Sequence, residues 1–167
     1  MFNTGILTIS DKGWQGQRRD KSGQIIRESL SSLSSSTVKY EIIPDELDVI
    51  AAKLIEWADE GGVDIILTTG GTGLAQRDVT PEATLSIVDR VVPGLTEAMR
   101  VETSKVTPSA ILSRAVAGVR GKCLIINLPG SPKAVRECLE VILPVIPHAI
   151  EIIKGEVTEH KAMDSEA

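Results

Sequence analysis

The chain has 167 residues, a formal net charge of −5 and a hydrophobic fraction of 42%, to which aromatic residues contribute little. This length is typical of one domain, and the aliphatic bias is typical of parallel strands buried between helices. The negative charge argues against nucleic acid as a partner, because proteins that bind nucleic acid usually have a basic surface. Without a secretory signal pattern or an apolar run of transmembrane length, we expect a cytoplasmic protein with no membrane partner.

The first part of the chain predicts two strands separated by a long loop and a helix. Residues 4–10 form the first strand, and a polar loop at 11–20 leads into a helix that begins near Lys21. Loops of this length in compact domains are often functional. A serine-rich exposed loop at 31–36 precedes the second strand, at 38–43.

Several charged residues in this part have two interpretations each. Arg18 and Arg19 are either phosphate contacts or solvated surface arginines. Asp45 follows the second strand and precedes a predicted helix at 46–60. Aspartate is a favoured N-cap residue, so the residues alone favour capping for Asp45, with ligand binding as the alternative.

Residues 63–84 predict a strand, a glycine loop, a charged loop and a helix. An apolar, β-branched run at 63–68 is typical of a strand that is buried on both faces. The loop Thr69-Gly70-Gly71-Thr72-Gly73 follows, where missing Cβ atoms let a ligand approach backbone N–H groups. Such a loop is either a tight connection or a binding loop, and the adjacent pair Arg77-Asp78 favours a site for a metal and a nucleotide.

Helix caps and chain breaks define the remaining elements. Thr80 and Pro81 are placed like an N-cap and a first helical residue, and Ser131 and Pro132 repeat this pattern. The other predicted elements are a helix to residue 88, a break at 91–94, a helix at 95–103, a break at 106–109, a short helical turn and a short strand within 110–120, a strand at 122–128, and a final helix to residue 154 that Pro144 and Pro147 kink or divide.

The alternation of strands and helices predicts an α/β fold, a three-layer α/β/α sandwich around a mainly parallel sheet. We expect one domain at residues 1–155 and a polar, flexible tail at 156–167. The two cysteines, Cys123 and Cys138, have no metal-ligand spacing and are predicted to be buried structural thiols. Ligands bind at the carboxyl ends of parallel strands. The residues expected at that edge are Ser10, Asp45, Gly70, Gly71, Thr72, Gly73, Asp78, Pro129, Gly130 and Ser131.

The sequence resembles the molybdenum cofactor biosynthesis family, and within it the molybdopterin adenylyltransferases and the homologous domains of gephyrin and of the plant cofactor protein. The most specific match is LTTGGTGLAQRDVTPEAT at residues 67–84, which is far more informative than GGTG alone. The other matches are ILTISD at 6–11, DKSG at 20–23, IPDE at 43–46, PGLTEAMR at 93–100, ILSRAVAGVRG at 111–121 and LIINLPGSPKAVREC at 124–138.

The resemblance implies a reaction in which the terminal phosphate of molybdopterin attacks the α-phosphate of ATP in the presence of Mg²⁺. It implies that Asp45 is a catalytic aspartate linked to the metal and that Asp78 is the second essential aspartate. Arg77 then either pairs with Asp78 or faces a phosphate. The remaining residues implied to line the substrate and nucleotide site are Ser10, Asp11, Asp20, Ser22, Gly70, Gly71, Thr72, Gly73, Ser113, Pro129, Gly130 and Ser131.

The resemblance also implies a homotrimer whose product passes to a molybdate-insertion enzyme. The competing hypothesis is a trimer of the same family that binds or carries molybdopterin, or serves as a scaffold, without adenylylating it. Asp45, Arg77, Asp78, Thr80 and Pro81 are all present, which favours the enzyme.

Overall fold

A six-stranded sheet forms the centre of the protein in the computed structural model, which describes residues 1–157. The strand order is β2-β1-β3-β6-β5-β4. Strands β1, β2, β3 and β6 run parallel, whereas β5 is antiparallel to both β6 and β4. The prediction of a mainly parallel sheet is therefore confirmed. The strands are β1 (Phe2–Ile9), β2 (Ser35–Ile43), β3 (Ile65–Thr69), β4 (Arg90–Val91), β5 (Ala117–Arg120) and β6 (Cys123–Leu128).

Helices cover both faces of the sheet and produce the predicted three layers. One buried core cluster joins the sheet to α2, α5, α6 and α7, and the other joins it to α3 and α4. Within residues 1–157, no helix has the length and apolar character needed to cross a bilayer. The helices are α1 (Asp11–Trp14), α2 (Lys21–Leu30), α3 (Leu47–Asp59), α4 (Thr80–Ile87), α5 (Pro93–Ser104), α6 (Pro132–Ile142) and α7 (Ile146–Lys154), with a 3-10 turn at Pro108–Leu112.

The central strand β3 aligns the carboxyl ends of its neighbours. All five of its residues are buried, as predicted for a strand covered on both faces. Its last residue, Thr69, is in register with Thr8 of β1 and Leu128 of β6, while Ile9 is in register with Ile43 of β2. The loops after these four strands therefore begin at one edge of the sheet.

Several predicted boundaries are confirmed. The stretch 110–120 contains the end of the 3-10 turn and then β5, and the final helix is divided between Ile142 and Ile146. Ser131 caps α6 with Pro132 in its first turn. Both cysteines are buried, and burial raises the pKa of Cys123 to about 12 and that of Cys138 to about 11, which suits structural thiols.

Other predicted boundaries were wrong, for local physical reasons. Residues 11–14 form a helical turn because Ser10 caps it, so the loop after β1 is shorter than predicted. Strand β2 begins at Ser35, within the predicted serine loop. Thr80 is the first residue of α4 and not its N-cap, because its hydroxyl donates to the Gly70 carbonyl. Most of the predicted tail, residues 158–167, lies outside the described residues.

Candidate active site at the carboxyl edge of the sheet

Two cavities adjoin the loop after β3. The polar cavity, about 780 Å³ in volume, lies under the loop after β1 and is lined by Ser10, Asp45 and the basic residues Arg18, Arg19 and Lys21. The apolar cavity, about 700 Å³ in volume, lies between the loop after β3, α5, the 3-10 turn and α6. Its lining includes Leu74, Met99, Leu112, Ala115 and Cys138. Four residues border both cavities: Gly71, Asp78, Gly130 and Ser131.

Close packing around the glycine loop explains its composition. Gly70 has φ +99°, and a Cβ atom there would clash with the Ile9 carbonyl oxygen. A Cβ atom on Gly71, at φ +68°, would lie 3.2 Å from Oδ1 of Asp45, and one on Gly73 would lie 2.8 Å from Oδ2 of Asp78. The loop backbone therefore runs directly beside both predicted aspartates, an approach that side chains would block.

Asp45 does not cap the following helix. Glu46 occupies the N-cap position of α3 and makes no side-chain capping bond. Instead, Oδ2 of Asp45 accepts from the Asp11 N–H at 2.9 Å, and Oδ1 of Asp11 accepts from the Asp45 N–H at 3.0 Å. The capping interpretation of Asp45 is wrong, because this reciprocal pair turns its carboxylate toward the loop after β1.

The electrostatic environment of Asp45 disfavours its negative charge. Burial raises the pKa of Asp45, and the charges of Asp11 and Asp78 raise it further, against the opposing effects of the Asp11 N–H bond and of Arg77. A carboxyl group in such surroundings gains from a bound cation. The same feature is common at functional sites.

Asp78 stands where the two cavities meet. Its Oδ2 accepts from the Ala75 N–H at 3.0 Å, and its own N–H donates to the Ala75 carbonyl at 3.0 Å. These bonds form a small local turn. Asp78 and Asp45 both line the polar cavity, and the charge of Asp78 contributes to the raised pKa of Asp45.

Arg77 does not pair with Asp78, which was one of the two roles expected for it. Its guanidinium donates to Asp11 through Nε at 2.6 Å and Nη2 at 3.0 Å, and to Glu46 through Nη2 at 2.9 Å. Its hydrogen bond is the main reason that the pKa of Asp11 is lowered. Asp11 thus connects the loops after β1, β2 and β3. Glu46, which lies within the IPDE match, is a partner of Arg77 that the sequence analysis missed.

Three predicted site residues cap helices at this edge. Ser10 accepts from the Gly13 N–H at 3.0 Å, and Ser131 accepts from the Ala134 N–H at 3.2 Å. Asp20 accepts from the Gly23 N–H at 2.9 Å and also from the Thr8 and Tyr40 hydroxyls. The structure thus brings all three to the polar cavity, with hydrogen bonds that fix the loop backbone.

Two further predicted residues hold loops in place. The Ser22 hydroxyl donates to the Gly130 carbonyl at 2.7 Å and thereby ties α2 to the loop after β6. Ser113 lies in the apolar cavity, where its carbonyl accepts from Arg100 at 3.3 Å. Of the two remaining members, Thr72 is buried and borders the apolar cavity, while the Pro129 carbonyl accepts from the Thr69 hydroxyl at 2.7 Å.

The structure adds cations that the sequence analysis did not assign to the site. Lys21 lines the polar cavity beside Arg18 and Arg19, and Arg100 and Lys133 line the apolar cavity. Their sequence signal was position: Arg100 ends the PGLTEAMR match, and Lys133 follows Ser131 by two residues. Lone basic residues of this kind are usually solvated, so only their placement around a cavity distinguishes them.

The donor set fits one kind of metal better than others. Among residues 1–157, no group of three or more histidine, cysteine, aspartate or glutamate side chains is arranged to hold an ion. Mg²⁺, however, is often bound by one or two carboxylates together with substrate phosphates and water. Asp45 and Asp78, beside the glycine loop, fit that mode, and the raised pKa of Asp45 is consistent with it.

The fold and the cavities together define an α/β protein with a polar and an apolar cavity at the carboxyl edge of its sheet. A family model described as a probable molybdopterin binding domain matches residues 5–148. The chain therefore belongs to the molybdopterin-binding domain family.

Relatives support this membership over nearly the whole chain. The molybdopterin adenylyltransferase of Helicobacter pylori strain J99 is 48% identical over 156 residues, which cover 92% of this chain and 89% of the relative. Gephyrin of Dictyostelium discoideum is 42% identical over 91% of this chain, which corresponds to 22% of gephyrin. The solved molybdopterin biosynthesis enzyme MoaB of Thermus thermophilus superimposes with a TM-score of 0.88, at 55% identity, and covers 93% of this chain and 98% of its own.

Proposed function

We propose that the protein is a molybdopterin adenylyltransferase, an enzyme that transfers AMP from ATP to the phosphate of molybdopterin. The observation that carries the proposal is the position of Asp78 and the glycine loop at the border of two cavities, with Asp45 beside them. A direct transfer between two substrates requires that both are bound side by side with their reacting groups in contact. Relatives at 40 to 48% identity over most of the chain are molybdopterin adenylyltransferases.

The two cavities suit the two substrates differently. The polar cavity presents Arg18, Arg19 and Lys21 to the triphosphate of ATP. The apolar cavity offers Met99 and Leu112 to a flat ring, with Arg100, Ser113 and Lys133 as polar contacts for the pterin. The phosphate of molybdopterin and the α-phosphate of ATP then meet at the shared border, near Asp78 and Gly71.

The chemistry requires positioning and charge compensation. A phosphate oxygen of molybdopterin attacks the α-phosphorus, a new P–O bond forms, the bond between the α- and β-phosphates breaks, and pyrophosphate leaves with the electron pair. Two anions must come together, so the loop's backbone N–H groups and nearby cations stabilise the transition state. Asp45 and Asp78 would hold Mg²⁺, which supplies positive charge to the phosphates. Asp11 and Arg77 keep the loops around these aspartates in place.

Three finer features complete the proposal. The active form is a homotrimer, which a mass measurement in solution tests. The protein works in the cytoplasm with ATP and molybdopterin as its small-molecule partners. Its product passes to an enzyme that inserts molybdate, because adenylylated molybdopterin is an activated intermediate.

The direct test is the formation of adenylylated molybdopterin from molybdopterin and ATP, with and without Mg²⁺, by the wild-type protein and the Asp78→Asn variant. We expect Mg²⁺-dependent product from the wild type and a loss of about 100-fold or more in the variant, since the shape is kept and only the charge is removed. Asp48→Asn, an exposed change in the first turn of α3, is the matched control and should keep full activity.

Two results would count against the proposal. Wild-type turnover by Asp78→Asn would remove Asp78 from the chemistry. Tight binding of molybdopterin without product, in the presence of ATP and Mg²⁺, would instead support the carrier or scaffold hypothesis and leave the glycine loop as a binding feature.

A further inference from the structure

We propose that Arg114 is the positioning residue that sets the place of Asp78, and that its guanidinium acts on the reaction only through this loop. This inference rests on the proposed function for its activity readout. Arg114 was not among the predicted site residues, although it lies in the ILSRAVAGVRG match. It precedes β5 and approaches the loop after β3 from the side of the apolar cavity.

Arg114 contacts the loop at both of its ends. Its backbone N–H donates to the Thr72 carbonyl at 2.9 Å. Its side chain donates through Nε to the Gly73 carbonyl at 2.8 Å and through Nη2 to the Asp78 carbonyl at 2.6 Å. One guanidinium therefore joins the glycine loop directly to the residue that carries the essential carboxylate.

The segment between these two anchor points has few other restraints. Residues 74–77 are all exposed. The local turn between Ala75 and Asp78 lies within the loop itself and does not attach it to the rest of the protein. On the other side, the loop is attached by Arg77, whose side chain is 56% exposed and whose ion pairs are therefore screened by salt. Arg114 is the less exposed of the two attachments, with 35% of its side chain exposed.

The charge of Arg114 is already compensated. Nη1 forms an ion pair with Glu82 of α4, and this bond is the main reason that the pKa of Glu82 is lowered. Within the described residues, Arg114 lines neither the polar nor the apolar cavity. A cation that is paired and set back from both cavities is placed to hold the loop and not to contact a phosphate.

The planar fork of arginine is required for this role. Nε and Nη2 project in fixed directions to two carbonyl groups at once, which the single ammonium group of lysine cannot match. A displacement of about 1 Å in a reacting group can lower a rate by about 100-fold. Loss of the fork should therefore lower catalysis while the charge of the protein is unchanged.

The test compares Arg114→Lys with Arg120→Lys in the full chain. Arg120 of β5 is a control because its guanidinium likewise joins a carboxylate to a backbone carbonyl, away from both cavities. It donates to Asp59 through Nε and Nη2 and to the Ile87 carbonyl through Nη1. We expect kcat to fall by about 10- to 100-fold in Arg114→Lys, with KM for ATP changed by less than about threefold. Arg120→Lys should keep the wild-type kcat.

A second measurement does not depend on activity. Amide hydrogen exchange at Ala75 and Asp78 should accelerate in Arg114→Lys and stay unchanged in Arg120→Lys, because only the first variant releases the loop. Glu82→Gln keeps both carbonyl contacts of Arg114, so it should retain kcat within about threefold and leave this exchange unchanged.

Three outcomes would overturn the inference: an unchanged kcat in Arg114→Lys, unchanged exchange at Ala75 and Asp78, or a large rise in KM for ATP with an unchanged kcat. The last would make Arg114 a substrate contact. If the wild-type protein itself forms no product, the proposed function fails, and the exchange measurement alone decides whether Arg114 sets the place of Asp78.

Discussion

Asp45 occupies a position that costs the fold stability. Its carboxyl group is half-buried and faces the charges of Asp11 and Asp78, so its pKa is raised. A carboxyl whose folded pKa lies above its unfolded pKa destabilises the fold once it is ionised. Such an arrangement is expected where a bound cation, and not the protein alone, completes the site.

Asp45→Asn should therefore separate function from stability. In the absence of divalent cations at pH 7, we expect the variant to unfold at the same temperature as the wild type or a higher one, because the side-chain oxygen still accepts from the Asp11 N–H while the charge is gone. The difference in unfolding temperature between variant and wild type should be complete at pH values above the raised pKa of folded Asp45. It should vanish below the ordinary aspartate pKa of 3.8. Thermal unfolding across pH measures this effect, and a lower unfolding temperature at pH 7 would contradict it.

The same variant should lose the Mg²⁺-dependent part of its activity. We expect the product formed per unit time to fall by at least about 10-fold, since a magnesium ligand is removed. An unchanged magnesium titration would return Asp45 to a purely structural role in the contact with Asp11.

At the scale of elements, the glycine loop joins β3 to α4 through contacts that leave no room for side chains. Gly70 combines a positive φ with a close approach to the β1 backbone, and the Thr80 hydroxyl secures the turn by donating to the Gly70 carbonyl at 2.9 Å. The loop is thus held by its neighbouring strand and by the first turn of the following helix. Its glycines are structural requirements as well as parts of the site.

Gly70→Ala should destabilise the protein by more than about 2 kcal/mol, because the backbone strain of a positive φ adds to a clash with the Ile9 carbonyl. Two controls separate the contributions. Gly61 has φ +79° with open space around it. Gly61→Ala should therefore lower the free energy of unfolding by the backbone strain alone, about 1 kcal/mol. Gly94→Ala in α5 has neither strain nor contact and should be neutral or slightly stabilising. Chemical denaturation of the three variants measures the differences, and equal costs for Gly70 and Gly61 would rule out the clash.

At the scale of the whole molecule, the polar cavity is assembled from loops after four strands. Its lining comes from the ends of β1, β2, β3 and β6, so a ligand there contacts segments far apart in the sequence. Such a ligand binds the folded protein and not the unfolded chain. Its binding free energy therefore adds to the stability of the entire domain.

Mg-ATP at 100 times its dissociation constant should stabilise the wild-type protein by about 2.7 kcal/mol. The Asp45→Asn variant should show a smaller shift at the same concentration, because its nucleotide binds without that metal ligand. Thermal unfolding with ATP, with Mg²⁺ and with both measures the effect. An equal shift for wild type and variant would place the metal away from Asp45.

Local sequence patterns were enough to predict the fold and the edge of the sheet at which the strand-end candidate residues lie. Apolar runs such as 63–68 identify buried strands because a buried strand needs apolar side chains on both faces. Ser131 followed by Pro132 identifies a helix start because both residues act on backbone groups within one turn. The glycine loop was found in the same way, since glycine is needed wherever the backbone must approach closely.

Only the tertiary structure decided how the charged side chains pair. Asp45 was favoured as a cap and instead binds the Asp11 backbone, Arg77 joins Asp11 and Glu46, and Arg114 reaches across the loop to Asp78. Three of these bonds join residues that are 31 to 36 positions apart in the sequence: Asp11 with Asp45, Arg77 with Glu46, and Arg114 with Asp78. Local periodicity carries no information about such contacts, because they depend on the strand order and on which loops the sheet brings to one edge.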